Sequence, residues 1–288
     1  TACGRIFKAA VVQVLEQIVR ISLVVFFLRR APAGDLESCC AAVSTGSMLA
    51  ELSSFLMMAV AYLLDRRTHA KAPEPSPRLP MRMLSIAVPL ALSAYARSAL
   101  STLEQLMVPR GLKKAGWSAN GALAGYGTIQ SMVFPILFFP ACIVTALAEL
   151  IVPQLTAAQV AGKKEDIARG VSTLLRKTLA LSGIIALLLW LLGGFLGEAI
   201  YHSADAGRYL RLFAPLVPVM YTDMVTDGCL KGLGEHLASM SYNILDALCG
   251  VVLVWFLLPK FGLNGYIGVL YFEECFNFAL SLHRLSQI

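Results

Sequence analysis

Gln13–Leu28 reads QVLEQIVRISLVVFFL, and Asn243–Leu258 reads NILDALCGVVLVWFLL. Laid over one another without a gap, Leu15, Leu23, Val24, Phe26 and Leu28 recur at Leu245, Leu253, Val254, Phe256 and Leu258. Gln13 falls on Asn243 and Glu16 on Asp246, so both copies keep a carboxylate early in an otherwise apolar span. Each copy is followed by a short polar break. A second apolar span then carries a mid-span glutamate, Glu51 in the first copy, Glu273 and Glu274 in the second. Repeated apolar hairpins mark membrane proteins assembled from two related lobes. The repeat predicts that the chain holds the last two helices of one lobe and the whole of the next.

The composition agrees with a membrane setting. Of the 288 residues, 57% are hydrophobic and 15% charged, and mean hydropathy is +0.69. That balance belongs to a polytopic all-α membrane protein, not a soluble domain. The seven cysteines lie mostly in apolar runs without CxxC or Cys/His spacing, so neither disulfides nor a metal site is expected. The net charge of +6 collects in loops between spans. It therefore points to membrane topology and not to nucleic acid.

Eight spans are predicted, near residues 7–28, 39–64, 83–107, 122–155, 178–196, 209–230, 238–258 and 266–282. The fourth is too long for one straight crossing, and Pro135, Pro140 and Pro153 predict a kink in it. The stretch 65–80, DRRTHAKAPEPSPRLP, is basic and proline-rich and reads as a linker. The expected organisation is thus a hairpin over 1–64, a linker over 65–80 and a six-helix bundle over 81–288. Residues 163–177 are polar at helical spacing and predict an amphipathic helix on the membrane surface. With eight spans, fourteen of the 24 Lys and Arg residues share a side with both termini, and eight lie opposite. That asymmetry predicts that the termini and the linker are cytoplasmic.

A charge inside the bilayer needs a partner or a wet cavity. Gln13, Glu16 and Arg20 share one helical face, and Glu16 and Arg20 are spaced as an i, i+4 pair. They either neutralise each other for insertion or line a cavity. Glu51 interrupts a stripe of Ser44, Ser47 and Ser54. Ser93, Arg97, Ser101 and Glu104 form one stripe on the third span, with Gln105 beside it. Arg97 sits too deep to snorkel to either surface. It is either a bridge to a carboxylate such as Glu51 or Glu149, or a contact for a phosphate-bearing ligand, which suits a guanidinium. Asp246 and Glu274 are the candidates for ion coupling by H+ or Na+. HExxH, P-loop and nucleophile-elbow motifs are all missing, so neither an enzyme nor a bound cofactor is expected.

Three stretches carry a family resemblance. They are VLEQIVRI at 14–21, YGTIQSMVFPILFFPACIVTALAELIVPQL at 126–155, and LKGLGEHLASMSYNILDALCGVVLVWFLLPKFGLNGYIGVLYFEE at 230–274. They resemble the polysaccharide-transporter branch of the multidrug/oligosaccharidyl-lipid/polysaccharide exporter superfamily, near the stage V sporulation protein B-like and lipid II flippase-like members. The resemblance implies two six-helix lobes around a central cavity in the cytoplasmic membrane, and flipping of lipid-linked sugars by alternating access. By that template the chain runs from the fifth helix to the twelfth. It also implies an arginine five residues before a proline in the eighth helix. Counting back from Pro135, that place holds Gln130, which argues against identity with lipid II flippases. Arg97, Glu104, Glu16, Arg20, Glu51 and Gln130 are the expected cavity residues. The alternatives are an ion-coupled drug or metabolite antiporter of the same superfamily, and a membrane scaffold that transports nothing by itself.

The charge asymmetry makes a direct prediction. A single cysteine at Ser76, in a cysteine-free background, should resist an impermeant maleimide in intact cells and react after lysis. Labelling before lysis would reverse the orientation.

Overall fold

The computed structural model describes residues 6–30, 32, 35–68 and 79–287. Ser76 and the body of the expected linker lie outside them. The described part of that linker is helical at both edges, because α2 continues to Thr68 and α3 begins at Leu79. The chain divides into two compact units, Thr1–Pro77 and Arg78–Ile288.

The smaller unit is a hairpin of α1 (Ile6–Leu28) and α2 (Leu36–Thr68). Asp35 opens α2 by accepting the Glu37 backbone N–H and the Ser38 hydroxyl. The Ser38 hydrogen bond holds the Asp35 carboxyl below the usual carboxylate range. Gly46 lets the two helices touch, since a Cβ there would lie 2.9 Å from Val24 Cγ2 and 3.0 Å from its Cα. Small residues at such crossings are how helices associate where no water drives them together.

The larger unit is built from α3 (Leu79–Lys114), α4 (Ala119–Thr128), α5 (Phe134–Phe138), α6 (Ala141–Val160), α7 (Lys164–Tyr201), α8 (Ala204–Phe213), α9 (Val217–Gly232) and α10 (His236–Leu285). Among the described residues there are helices and turns but no strands. Among the described residues five helical stretches are long and apolar enough to cross a membrane, α2 in the smaller unit and, in the larger, α3, the stretch from α4 through α5, α7 and α10. The last of these, α10, is two helices joined at Gly262, whose φ of 58° and ψ of −136° leave the helical region. Large apolar side chains face outward along these helices, as a lipid solvent requires. Residues 164–177 are not a separate surface helix, as the sequence suggested. They are the first turns of α7, which runs unbroken to Tyr201 and is about 57 Å long, well beyond the hydrocarbon thickness of about 30 Å.

The kink expected near Pro135 takes a specific form. Ile129–Val133 is a π-helical turn in which the Phe134 N–H reaches back five residues to the Ile129 carbonyl. Proline has no N–H to give and its ring crowds the preceding turn, so widening the helix by one residue relieves both problems. The second break follows at Phe139–Pro140. The Tyr221 hydroxyl, fully buried, donates to the Leu137 carbonyl beside it at 2.6 Å. At the far end of α9, Thr156 Oγ1 donates to the Gly232 carbonyl at 2.6 Å and Gln159 Nε2 to Leu233 at 3.0 Å. Side chains of α6 thus satisfy carbonyls that a helix end leaves open.

The core of this unit runs from Val108 and Leu112 through Ile129, Leu137 and Tyr221 to Leu258 and Tyr266. Gly111 brings α3 against α10, with a Cβ there only 2.8 Å from Leu258 Cβ. Gly262 carries two constraints. Its positive φ disfavours any side chain, and a Cβ would lie 3.1 Å from Trp117 Nε1. Gly262→Ala should therefore cost about 1–3 kcal/mol. Thermal unfolding in detergent checks this, and an unchanged midpoint would contradict it.

Candidate functional site

Polar residues of four helices meet in the larger unit. Arg97 comes from α3, Asp223 from α9, and Asp246, Glu274 and Asn277 from the two parts of α10. Together with Phe138, Met220, Met224, Asp227 and Asn243 they enclose a cavity of 240 Å³. Helical spacing explains the convergence. Asn243 and Asp246 share a face of the first half of α10, Glu274 and Asn277 a face of the second, and the turn at Gly262 folds the halves together. Asp223 is 7% exposed. Its Oδ2 accepts from Asn277 Nδ2 at 3.0 Å. Asp223 Oδ1, Asp246 Oδ1 and Asn277 Oδ1 are buried without a hydrogen-bond donor. Three buried oxygen acceptors without donors, two of them on carboxylates, suit protons or a hard cation. Among the described residues no group of His, Cys, Asp and Glu forms a closed metal site.

Arg97 is exposed and forms no ion pair among the described residues. It lines the same cavity as Asp223, Asp246 and Glu274. It also lines a second space of 420 Å³ with Ser93, Ser98, Ser101, Thr102, Gln105, Asn243 and Lys231. One guanidinium therefore stands between a carboxylate cavity and a groove rich in hydroxyl and amide groups. Beside it, Lys231 Nζ pairs with Asp227 Oδ2 at 2.5 Å, and Ser239 donates to Asp227 Oδ1. Of the two carboxylates that the sequence offered Arg97 as a bridge, Glu51 pairs with Arg20 inside the smaller unit, and the Glu149 side chain lies outside the described residues.

Glu104, two turns from Arg97, goes elsewhere. It joins Glu273 across Gly250, where a Cβ would collide with Glu273 Oε1 and lie 3.5 Å from Glu104 Oε2. Gln130 is in the π-helical turn and donates from Nε2 to Tyr266 Oη at 2.9 Å. Tyr266 meets Tyr126 edge-on at 5.6 Å. Gln130 is not part of either space beside Arg97. In the smaller unit Arg20 pairs with Glu16 at 2.6 Å and with Glu51, and Ser54 Oγ donates to the other Glu16 oxygen at 2.7 Å.

The repeat gives these contacts a common frame. Arg20 of the first copy aligns with Gly250 of the second. In each copy a glutamate from the following helix reaches that position, Glu51 meeting Arg20 and Glu273 lying against Gly250. The first copy pairs both its carboxylates with one internal arginine, whereas the second has a glycine where the cation would be. Asp223, Glu273 and Asn277 were not among the sequence-based site candidates. Asp223 faces the others only through the packing of α9 on α10, and no spacing rule within α9 marks it.

Residues 115–256 match the MatE family model. The chain is 24% identical over 263 residues to stage V sporulation protein B of Bacillus subtilis (strain 168), covering 89% of this chain and 51% of that protein. These similarities support a place in the multidrug/oligosaccharidyl-lipid/polysaccharide exporter superfamily. Sporulation protein YkvU of the same organism is 22% identical over 176 residues, 61% of this chain and 40% of that protein. The chain spans about half the length of the curated relatives it matches. No solved structure matches it significantly.

The glycine at the second-copy seam generates a paired test. Gly250→Ala must displace the Glu273 carboxylate and should destabilise the fold by about 1–3 kcal/mol. Gly268→Ala, where a Cβ meets nothing within 4 Å, should be neutral or slightly stabilising. Melting both variants in detergent checks the contrast, and equal midpoints would show that Glu273 does not need that space.

Proposed function

We propose that the chain forms part of a flippase that moves lipid-linked oligosaccharide or polysaccharide precursors across the cytoplasmic membrane by alternating access. The observation that carries this reading is the position of Arg97. It is exposed, and it adjoins a groove of hydroxyl and amide groups that suits a sugar-phosphate headgroup. Lys231, already paired with Asp227, adds positive charge to the same groove. The polyprenyl tail would remain in lipid while the headgroup passes.

In this mechanism Asp223, Asp246 and Glu274 are the coupling carboxylates. Asp223 and Asp246 each keep a buried oxygen without a donor, and the cluster takes up protons or Na+ when the substrate phosphate neutralises Arg97 and releases them when it leaves. A substrate anion and a coupling cation then occupy neighbouring spaces together, each relieving the charge the other uncovers. Glu16, Arg20 and Glu51 neutralise the hairpin of the smaller unit and serve as its cavity or gating charges. Gln130 acts from the interior by holding the π-helical turn to Tyr266 of α10, and Glu104 lies with Glu273 at the α3–α10 seam.

A second reading draws on the carboxylates around Arg97, which outnumber it. That excess favours a cationic cargo and an ion-coupled drug or metabolite antiporter of the same superfamily. The two readings separate in proteoliposomes containing the gene product. With a fluorescent polyprenyl-diphosphate sugar as probe, Arg97→Ala and Arg97→Lys should each reduce flipping at least about tenfold, the loss expected for a charged hydrogen bond to phosphate. The detergent melting midpoint should stay near wild type, because Arg97 holds no ion pair whose loss strands a buried charge. A melting midpoint that falls in step with flipping would assign Arg97 a structural role. Unchanged flipping of the sugar probe, with proton-driven uptake of an organic cation lost in Asp223→Asn, would favour the antiporter.

A further inference from the structure

α7 and α8 approach each other more closely than any side chain would allow. A Cβ on Gly197 would collide with the Gly207 backbone, and one on Gly207 would lie 2.9 Å from Gly194 Cα. The contact follows the turn at His202, where the chain reverses with the Ser203 N–H bonded to the Gly197 carbonyl at 3.2 Å. Beside the glycines a groove of 570 Å³ opens. Arg208 and Arg211 of α8, one turn apart, line it together with Glu198 and Trp190 of α7. The Arg211 guanidinium lies over Gly194, in the space a Cβ would fill. Neither arginine forms an ion pair among the described residues. Around the groove the α7 surface is apolar and outward-facing, with Phe195 71% exposed and Trp190 56% exposed.

We infer that this groove binds the headgroup of a phospholipid bearing an amine, of the ethanolamine type. Four features carry the inference. The groove lies within about three turns of the terminus of α7, a helix long and apolar enough to cross a membrane, where a span meets headgroups and glycerol. Two unpaired arginines on one face suit a phosphodiester, as guanidinium forks do. Glu198 at the outer end of the same groove supplies the complement for an ammonium. Trp190 at the inner end is an aromatic of the kind that marks the polar–apolar boundary of a bilayer. A purely anionic lipid would leave Glu198 facing negative charge, and a choline lipid would give it no N–H donor. This site is separate from the Arg97 cavities and does not depend on what the chain transports.

The position of Trp190 provides the readout. Trp117→Phe and Trp255→Phe leave Trp190 as the reporter in the chain reconstituted in phosphatidylcholine vesicles. Small amounts of brominated phosphatidylethanolamine, phosphatidylglycerol or phosphatidylcholine are then compared as quenchers. The expected order of quenching is phosphatidylethanolamine, then phosphatidylglycerol, then phosphatidylcholine. Arg208→Gln and Arg211→Gln should each weaken the ethanolamine lipid about fivefold relative to phosphatidylcholine, the effect of one basic residue at a lipid surface. Glu198→Gln, which is isosteric, should remove the preference for phosphatidylethanolamine over phosphatidylglycerol, weakening quenching by the first and strengthening quenching by the second. Far-UV circular dichroism and the melting midpoint verify that each variant is folded. Equal quenching by all three lipids would overturn the site. Stronger quenching by phosphatidylglycerol than by phosphatidylethanolamine before Glu198 is replaced, or an unchanged lipid order in Glu198→Gln, would overturn the amine assignment.

Discussion

The seam between α3 and α10 sets the terms for the larger unit. Gly111 lets the two backbones close on Leu258, and the polar stripe of α3 is thereby held against the polar faces of α10. Charged groups in a low-dielectric interior interact strongly and cannot be left without partners. The seam therefore fixes which carboxylates line a cavity with Arg97 and which, like Glu104 and Glu273, face each other across Gly250. If α3 were rotated by one residue, Arg97 would leave this group for lipid.

Several helix irregularities in the larger unit are answered locally. Pro135 is absorbed by a π-helical turn, and Tyr221 caps the Leu137 carbonyl ahead of the Phe139–Pro140 break. Thr156 and Gln159 serve the end of α9. In hydrocarbon there is no water to take these roles, so each irregularity needs a dedicated partner. The breaks also position function. The π-helical turn presents Gln130 to Tyr266, and the turn at Gly262 brings Asn243 and Asp246 of one half of α10 near Glu274 and Asn277 of the other.

The two copies of the repeated hairpin have diverged in charge and kept the same contact. A glutamate from the second helix reaches the same position on the first in both, but it finds Arg20 in one copy and Gly250 in the other. In the first copy one arginine is shared by two glutamates. In the second the hairpin has no cation at that position, and the cation that lines the cavity with Asp246 and Glu274 is Arg97 on α3.

Much of this was legible in the sequence. Hydropathy alone dictates an all-α membrane protein, because only helices or closed barrels satisfy the backbone in lipid and the apolar runs are too long for strands. The prolines at 135 and 140 predicted the kinked span, and the repeat singled out Glu16 and Asp246. Periodicity also placed Arg97 on one stripe with Ser93 and Ser101. Other features depended on contacts between segments distant in the chain. The sequence put Glu104 on the Arg97 stripe, but packing sends it to Glu273. It treated 163–177 as a surface helix, because a polar stretch looks the same whether it ends a span or lies on a membrane. It left Asp223 outside the candidate site, since only the docking of α9 on α10 turns that carboxylate inward. Periodicity within a helix determined which residues share a face. What that face meets was decided by tertiary packing, where a glycine contact of a few ångströms selects the partner.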